Sequence, residues 1–170
     1  MQYEAVELAP PGEGEVRIRH QAIGVNFVDT YFRSGLYAWP KEGPLTPGAE
    51  GAGVVEAVGI HVGHLQPGDR VAYTMPVGAY ATHRNLPADR LVKIPQGVSD
   101  EVAAAVMVKG LTAYYLLFRT FPVKKGHTIL YHAAAGGVGA LLGQWAAHLG
   151  ATVIGTVGSD AKVDVARAHG

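Results

Sequence analysis

The run His132-Ala133-Ala134-Ala135-Gly136-Gly137-Val138-Gly139 limits what this chain can fold into more than any other segment. An apolar, strand-like stretch, Thr128-Ile129-Leu130-Tyr131, leads into it, and a helix-like stretch from Ala140 to Leu149 leads out. A second apolar run, Ala151 to Val157, follows. Strand, glycine turn, helix and strand in that order form the setting in which such a turn holds a dinucleotide pyrophosphate. The physical reason is backbone access. With only hydrogens at Gly136 and Gly139, the helix start comes close to the strand, and its free N–H groups and partial positive charge stay open to phosphate. The spacing is Ala133-x-x-Gly136-x-x-Gly139, with alanine where the usual pattern has its first glycine. The same run without a ligand is a tight turn with close helix–strand packing.

The 170 residues leave room for one large domain or two small ones. A hydrophobic fraction of 48% against 16% charged supports a buried core and excludes a disordered chain. Lys+Arg and Asp+Glu balance at 14 each, so no basic surplus points to nucleic acid. Cysteine is absent, which removes disulfides, thiolate nucleophiles and cysteine–zinc sites together. The opening residues lack the basic start and apolar run of a signal peptide. No run of about 18 apolar residues stands out as a membrane span, so a cytoplasmic protein is expected.

The first part reads as β-rich. Val16 to Ile23 alternates apolar and polar residues, as a half-buried strand does. Gly51–Gly59, Arg70–Tyr73, Gly78–Arg84 and Leu91–Pro95 read as further short strands, with Pro67-Gly68-Asp69 as a turn. Short strands with turns between them suggest a partly open barrel. The character changes at Ser99, an N-cap candidate followed by Asp100 and Glu101 in the positive first turn of a helix. A second helix is expected over Leu111–Phe118, after Gly110, and another over Asp160–His169. The domain boundary falls near Lys109, giving domains 1–109 and 110–170.

Several stretches in this order resemble one family. They are Gly24-Val25-Asn26-Phe27-Val28-Asp29-Thr30-Tyr31, Arg33-Ser34-Gly35-Leu36-Tyr37, Pro47-Gly48-Ala49-Glu50-Gly51-Ala52-Gly53, Pro67–Val71, Lys109-Gly110-Leu111-Thr112-Ala113-Tyr114-Tyr115 and the glycine run. The chain resembles the zinc-free quinone oxidoreductases, the ζ-crystallin-like branch of the medium-chain dehydrogenase/reductase superfamily. The resemblance implies an α/β protein: a GroES-like β-barrel catalytic domain followed by the first part of a Rossmann domain. Members are about twice as long, so the chain is expected to be a partial one. An incomplete Rossmann sheet exposes an apolar edge, so the chain alone is expected to be poorly stable or to pair with another chain; a homodimer is the expected assembly.

The end of the second strand bears on cofactor choice. Rossmann proteins that prefer NAD place an acid about 20 residues on, at the ribose 2′-hydroxyl. Gly158 and Ser159 stand there instead, with Asp160 next and Lys162 after it. A hydroxyl, a helix start and a lysine suit a 2′-phosphate, so NADPH is the expected cofactor. Lys162 as a solvated helix residue and Asp160 as an N-cap are the bland alternative.

Zinc-using relatives place a ligand cysteine and a ligand histidine where this chain has Asn26 and Ala49, so no metal is expected. His61 and His64 share a loop at turn spacing and are expected to face solvent, with weak metal binding as the alternative. Without a Lewis acid to acidify an alcohol, hydride transfer to an electron-poor acceptor is the easier chemistry. Quinones and α,β-unsaturated carbonyls are such acceptors, and proximity, orientation and water exclusion are the protein's part. Asn26 can donate and accept hydrogen bonds toward a carboxamide or carbonyl. The resemblance places Phe27, Asp29 and Tyr31, on the same loop, against the cofactor. Tyr37 is a candidate for polarising the acceptor oxygen, or else a packed surface tyrosine. Thr112 and Tyr115 share a helical face; the resemblance puts them on the nicotinamide side, and helix packing is the alternative. Gly137 and Val138 are expected to offer N–H groups to pyrophosphate and Trp145 to be core; Lys109 is expected to be solvated, with contact to the cofactor as the alternative. A competing expectation is a non-catalytic NADPH-binding or structural protein, or an inactive fragment.

Overall fold

The computed structural model describes residues 2–39 and 45–170. It divides into two compact units, Met1–Met107 and Val108–Gly170.

The first unit is built on a five-stranded sheet in the order β4-β1-β2-β3-β5. Its strands are β1 (Glu15–Gly24), β2 (Glu50–Val58), β3 (Arg70–Thr74), β4 (His83–Pro87) and the two-residue β5 (Val92–Lys93). All four pairings are antiparallel. The alternation in β1 does what its sequence implies: Val16 and Ile18 are fully buried, and Arg17 and Arg19 point away from the core. They pack with Val55, Val71, Tyr73 and Leu86. The expected strand over Gly78–Arg84 is corrected. Gly78 to Thr82 is loop, with Gly78 at φ 130° and the Ala81 N–H turned onto Ala79 O (2.7 Å), and the strand begins at His83. The apolar, small residues there are spent on packing the loop: its Ala79 is fully buried.

The segment after β1 is also corrected. Phe27–Ser34 is not a loop but a helix, α1. It stops at Gly35, which closes the end in the left-handed conformation (φ 76°) with its N–H on Phe32 O.

Helix α2 (Asp100–Tyr115) carries the chain from one unit to the other. Ser99 caps it through Oγ, which accepts the Val102 N–H at 3.3 Å. Arg70 holds its start with an ion pair to Asp100 (2.7 Å) and a bond to Val98 O. Ala103 and Ala104 bury against Ala52 and Ala72 of the sheet. Two helices were expected here, broken at Gly110. One continuous helix is found, because a single glycine costs a helix only about 1 kcal/mol and packing on both sides of it outweighs that. A π-helical turn, Leu116–Thr120, follows. Together Asp100–Thr120 span 21 residues, within which an 18-residue window reaches mean hydropathy 1.4. By length and composition alone this segment is apolar enough to cross a membrane, contrary to the expectation from sequence.

The second unit has a parallel pair, β6 (Thr128–Tyr131) and β7 (Thr152–Gly155), joined through α3 (Gly137–His148). This is the β-turn-α-β unit read from the sequence. Ala113, Leu117, Val123, Leu142 and Ala146 form its core. Trp145 is corrected: it is 37% exposed, tilted against Tyr114 and edge-on to Phe118 at ring distances of 6.2 and 5.2 Å. The last expected helix begins as a 3-10 turn, Asp160–Lys162, before α4 (Val163–Ala168).

Candidate active site and cofactor turn

In the first unit the chemistry gathers where β1 runs into α1. Asn26 is the N-cap of α1 in extended conformation (φ −132°, ψ 156°). Two acids hold it. Asp29, three residues on, reaches back so that its Oδ2 accepts the Asn26 N–H at 2.9 Å, the reciprocal half of a capping box. Glu50, the first residue of β2, accepts from Asn26 Nδ2 through Oε1 at 2.8 Å.

Both acids are buried. Asp29 is 4% exposed and Glu50 not at all. The resemblance sets the segment of Asp29 against the cofactor; the Asp29 carboxylate itself is drawn inward to fasten the start of α1. Tyr80 donates its hydroxyl to the same Oδ2 at 3.1 Å. Burial and the charge of Asp29 push the Tyr80 hydroxyl up to about 12, so it stays a donor across the working pH range. Asp29 Oδ1 is buried without a hydrogen-bond partner. Glu50 is the residue that sequence reasoning passed over. The available signal was an acid at the head of a strand of glycine, alanine and valine, where no other charge precedes Glu56.

The remaining expected residues of this unit sit on α1 and just beyond it. Phe27 is 80% exposed on the first turn. Tyr31 and Tyr37 lie with ring centroids 5.3 Å apart, and the Tyr37 N–H bonds Tyr31 O at 3.2 Å. Tyr37 also meets Phe32 edge-on at 5.8 Å while staying half-exposed. Structure thus brings Asn26, Asp29, Tyr31 and Tyr37 onto one short helix and its exit.

A second polar chain crosses the sheet nearby. Arg84 donates to the Tyr73 hydroxyl at 3.2 Å, Tyr73 pairs with His20 Nε2 at 2.8 Å, and His20 Nδ1 faces Ala81 O at 2.6 Å. A neutral imidazole with its proton on Nδ1 satisfies every member. Burial lowers the His20 pKa, and Arg84 and His83 lower it further against the opposing Ala81 carbonyl. Of the histidine pair on the loop, His61 bonds Glu13 at 2.8 Å and His64 bonds Ala88 O at 3.1 Å. Among the described residues no three His, Cys, Asp or Glu side chains converge as a metal cluster.

In the second unit the glycine turn has the shape the sequence implied. Gly136 is the N-cap of α3, and its own N–H turns back to Ala133 O at 2.8 Å. The first helical bond to a residue inside this stretch is Ala140 N–H to Gly136 O (2.8 Å), so the N–H groups of Gly137, Val138 and Gly139 precede the helical ladder. Ala133 adopts φ 59°, the left-handed region, in the place of the first glycine. Its carbonyl points into the turn: a Cβ on Gly139 would lie 2.3 Å from Ala133 O. Gly139 is buried and Gly137 exposed.

The Lys109 stem crosses this helix start, its Cδ 2.8 Å from where a Gly137 Cβ would stand. Lys109 is half-buried, which corrects the solvated reading. Thr112 donates its hydroxyl to Val108 O one turn back at 2.7 Å, and Tyr115 is 48% exposed. Gly158, Ser159 and Lys162 are all exposed after β7, with open space at Gly158. Arg167, not anticipated from sequence, lines a cavity of ≈ 360 Å³ with Tyr131, Gly155 and Val163.

Residues 12–96 match the family of the alcohol dehydrogenase GroES-like domain. A quinone oxidoreductase of Pseudomonas aeruginosa is 53% identical over 100% of this chain and 52% of its own length. A 2-haloacrylate reductase of Burkholderia sp is 48% identical over 99% of this chain and 52% of its own. The crystal structure of an Escherichia coli quinone oxidoreductase complexed with NADPH superposes with a TM-score of 0.92 at 46% identity, over 98% of this chain and 51% of that one. The chain therefore spans about half the length of the relatives it matches. The GroES-like unit followed by the opening of a Rossmann unit is thus its fold, and the chain belongs to the family of the alcohol dehydrogenase GroES-like domain, where the relatives it is similar to are quinone oxidoreductases.

Proposed function

We propose that this chain is part of an NADPH-dependent oxidoreductase that reduces quinones or α,β-unsaturated carbonyls without a metal. The observation that carries the reading is the glycine turn at the start of α3. Its first-turn N–H groups precede the helical ladder, Gly137 is exposed, and the helix dipole adds positive potential there. These residues fit a pyrophosphate. Gly158, Ser159 and Lys162 fit a 2′-phosphate, since the strand end is open and carries a hydroxyl and a cation. The names of the relatives support the chemistry: a quinone oxidoreductase in complex with NADPH, and a reductase of 2-haloacrylate, itself an electron-poor alkene.

When bound, NADPH supplies the hydride. The chain's own residues bind, orient and exclude water. Gly136 to Gly139 cradle the diphosphate, and Asn26, fixed by Glu50, presents its amide on the substrate side. On the first unit Phe27, Tyr31 and Tyr37 serve the acceptor, Tyr37 polarising its oxygen; on the second unit Thr112 and Tyr115 serve the nicotinamide. No acid in this set is placed as a dedicated donor, so solvent protonates the resulting hydroquinone or enolate. The absence of cysteine, with Asn26 and Ala49 at the ligand positions, supports a metal-free reaction.

The test is NADPH absorbance in the full-length protein with a quinone and with an alkenal. Turnover that survives a chelator is expected. NADPH binding with no turnover on either acceptor supports a non-catalytic protein and overturns the proposal. Lys162→Glu should shift preference toward NADH by about tenfold; an unchanged ratio of the two KM values removes Lys162. A cytoplasmic homodimer belongs to the same reading, and light scattering on the full-length protein checks the dimer.

A further inference from the structure

We propose that Glu50 is a positioning residue that acts through Asn26, and this rests on the functional reading above. A carboxyl group with no exposure is costly unless hydrogen bonds repay its lost water. This one stands at the head of a strand whose next five residues are small or apolar, and its Oε1 accepts from Asn26 Nδ2 at 2.8 Å. The neighbouring strand is cut to fit it. A Cβ on Gly24 would lie 2.1 Å from Glu50 Oε1 and 2.5 Å from both Cδ and Cγ. Only glycine at position 24 leaves Glu50 in this place.

The Glu50 bond is not needed to start the helix. Asp29 already takes the Asn26 N–H, and Tyr80 steadies Asp29. One acid therefore holds the main chain of Asn26 and a second holds its side chain. An acceptor facing the amide fixes which end turns toward it: the nitrogen faces Glu50, and the amide cannot flip without losing that bond. What this arrangement delivers is a side-chain amide locked in plane and direction, the kind of support a group needs to orient a reacting partner.

The experiment is a mutant cycle in the full-length enzyme with NADPH and its best acceptor. Glu50→Leu removes the acceptor; kcat should fall about tenfold or more while the NADPH dissociation constant stays within about threefold. Glu50→Gln keeps an acceptor oxygen of the same reach and should restore kcat to within about threefold. On an Asn26→Ala background, Glu50→Leu should lower kcat by clearly less than it does beside an intact Asn26, because the Asn26 bond is already gone. If Glu50→Leu fails to fold, Glu50→Asp carries the test: it keeps the acid but withdraws it from Asn26, and kcat should fall with the far-ultraviolet spectrum unchanged. Additive losses in the cycle, a Glu50→Gln variant as slow as Glu50→Leu, or a Glu50→Asp variant at full rate overturns the assignment alone. A wild-type enzyme that turns over no acceptor overturns the functional reading, and this assignment with it.

Discussion

Gly24 and Glu50 show how one residue sets the identity of another across two strands. The backbone at Gly24 runs where the Glu50 side chain must lie, so an added methyl meets three of its atoms within 2.5 Å. Gly24→Ala is expected to lower stability by about 1–3 kcal/mol, the usual cost of overpacking, and to loosen Asn26. A urea titration reads the first effect and kcat/KM of the full-length enzyme the second; an unchanged kcat/KM would separate Gly24 from the site. Asn26 and Tyr37 could be singled out from sequence because they sit in motifs. Glu50 was harder to single out: an acid at the head of a small, apolar run hints at burial, but its partner is fixed only by the strands around it. Asp29 was legible as a site residue but not in its direction: three-residue spacing to a helix start fits a cap as well as a ligand contact, and the Tyr80 bond that draws it inward comes from 51 residues away. Asp29→Ala removes both bonds, so a drop of about 1–3 kcal/mol is expected in the same titration.

Elements with strict periodicity were legible. The two-residue alternation of β1 and the strand-turn-helix order around Gly136 depend on local pattern, and local pattern decided them. Gly78–Arg84 has no such alternation, and it is mostly loop, because its backbone bonds to the segment before β2 rather than in a ladder: Ala79 N–H and Tyr80 N–H bond back to Gly48 O and Pro47 O. Gly110 misled in the other direction, as a breaker signal inside a helix whose packing is settled elsewhere. For α3 the element-level prediction concerns Gly139. Its added Cβ would meet two carbonyl oxygens, Ala133 O at 2.3 Å and Ala134 O at 2.7 Å, and backbone cannot move aside as a side chain can. Gly139→Ala should weaken NADPH binding by more than about tenfold in a fluorescence titration. Equal affinity would detach the turn from the cofactor.

At the scale of the whole molecule, pH enters through His20. Its imidazole is buried and its pKa is lowered below the ordinary 6.5, by desolvation first and by Arg84 and His83 after it. The unfolded chain therefore takes up a proton that the folded chain resists. Stability is at its full value above about pH 6.5 and falls as pH drops through the window beneath it. Urea midpoints measured from about pH 7.5 down to 5.5 should show this slope, and His20→Gln should flatten it; an identical slope in the variant would assign the effect to other groups. A different constraint on the whole chain follows from Ala133. Its left-handed backbone turns the carbonyl that shuts position 139 to anything but glycine. In evolutionary terms the two sites are ordered. Position 133 is free to return to glycine, which suits that conformation better, while position 139 cannot change until the turn itself is rebuilt. A lineage can therefore lose the first glycine of the fingerprint and keep the last, and a search that insists on the first will overlook working members.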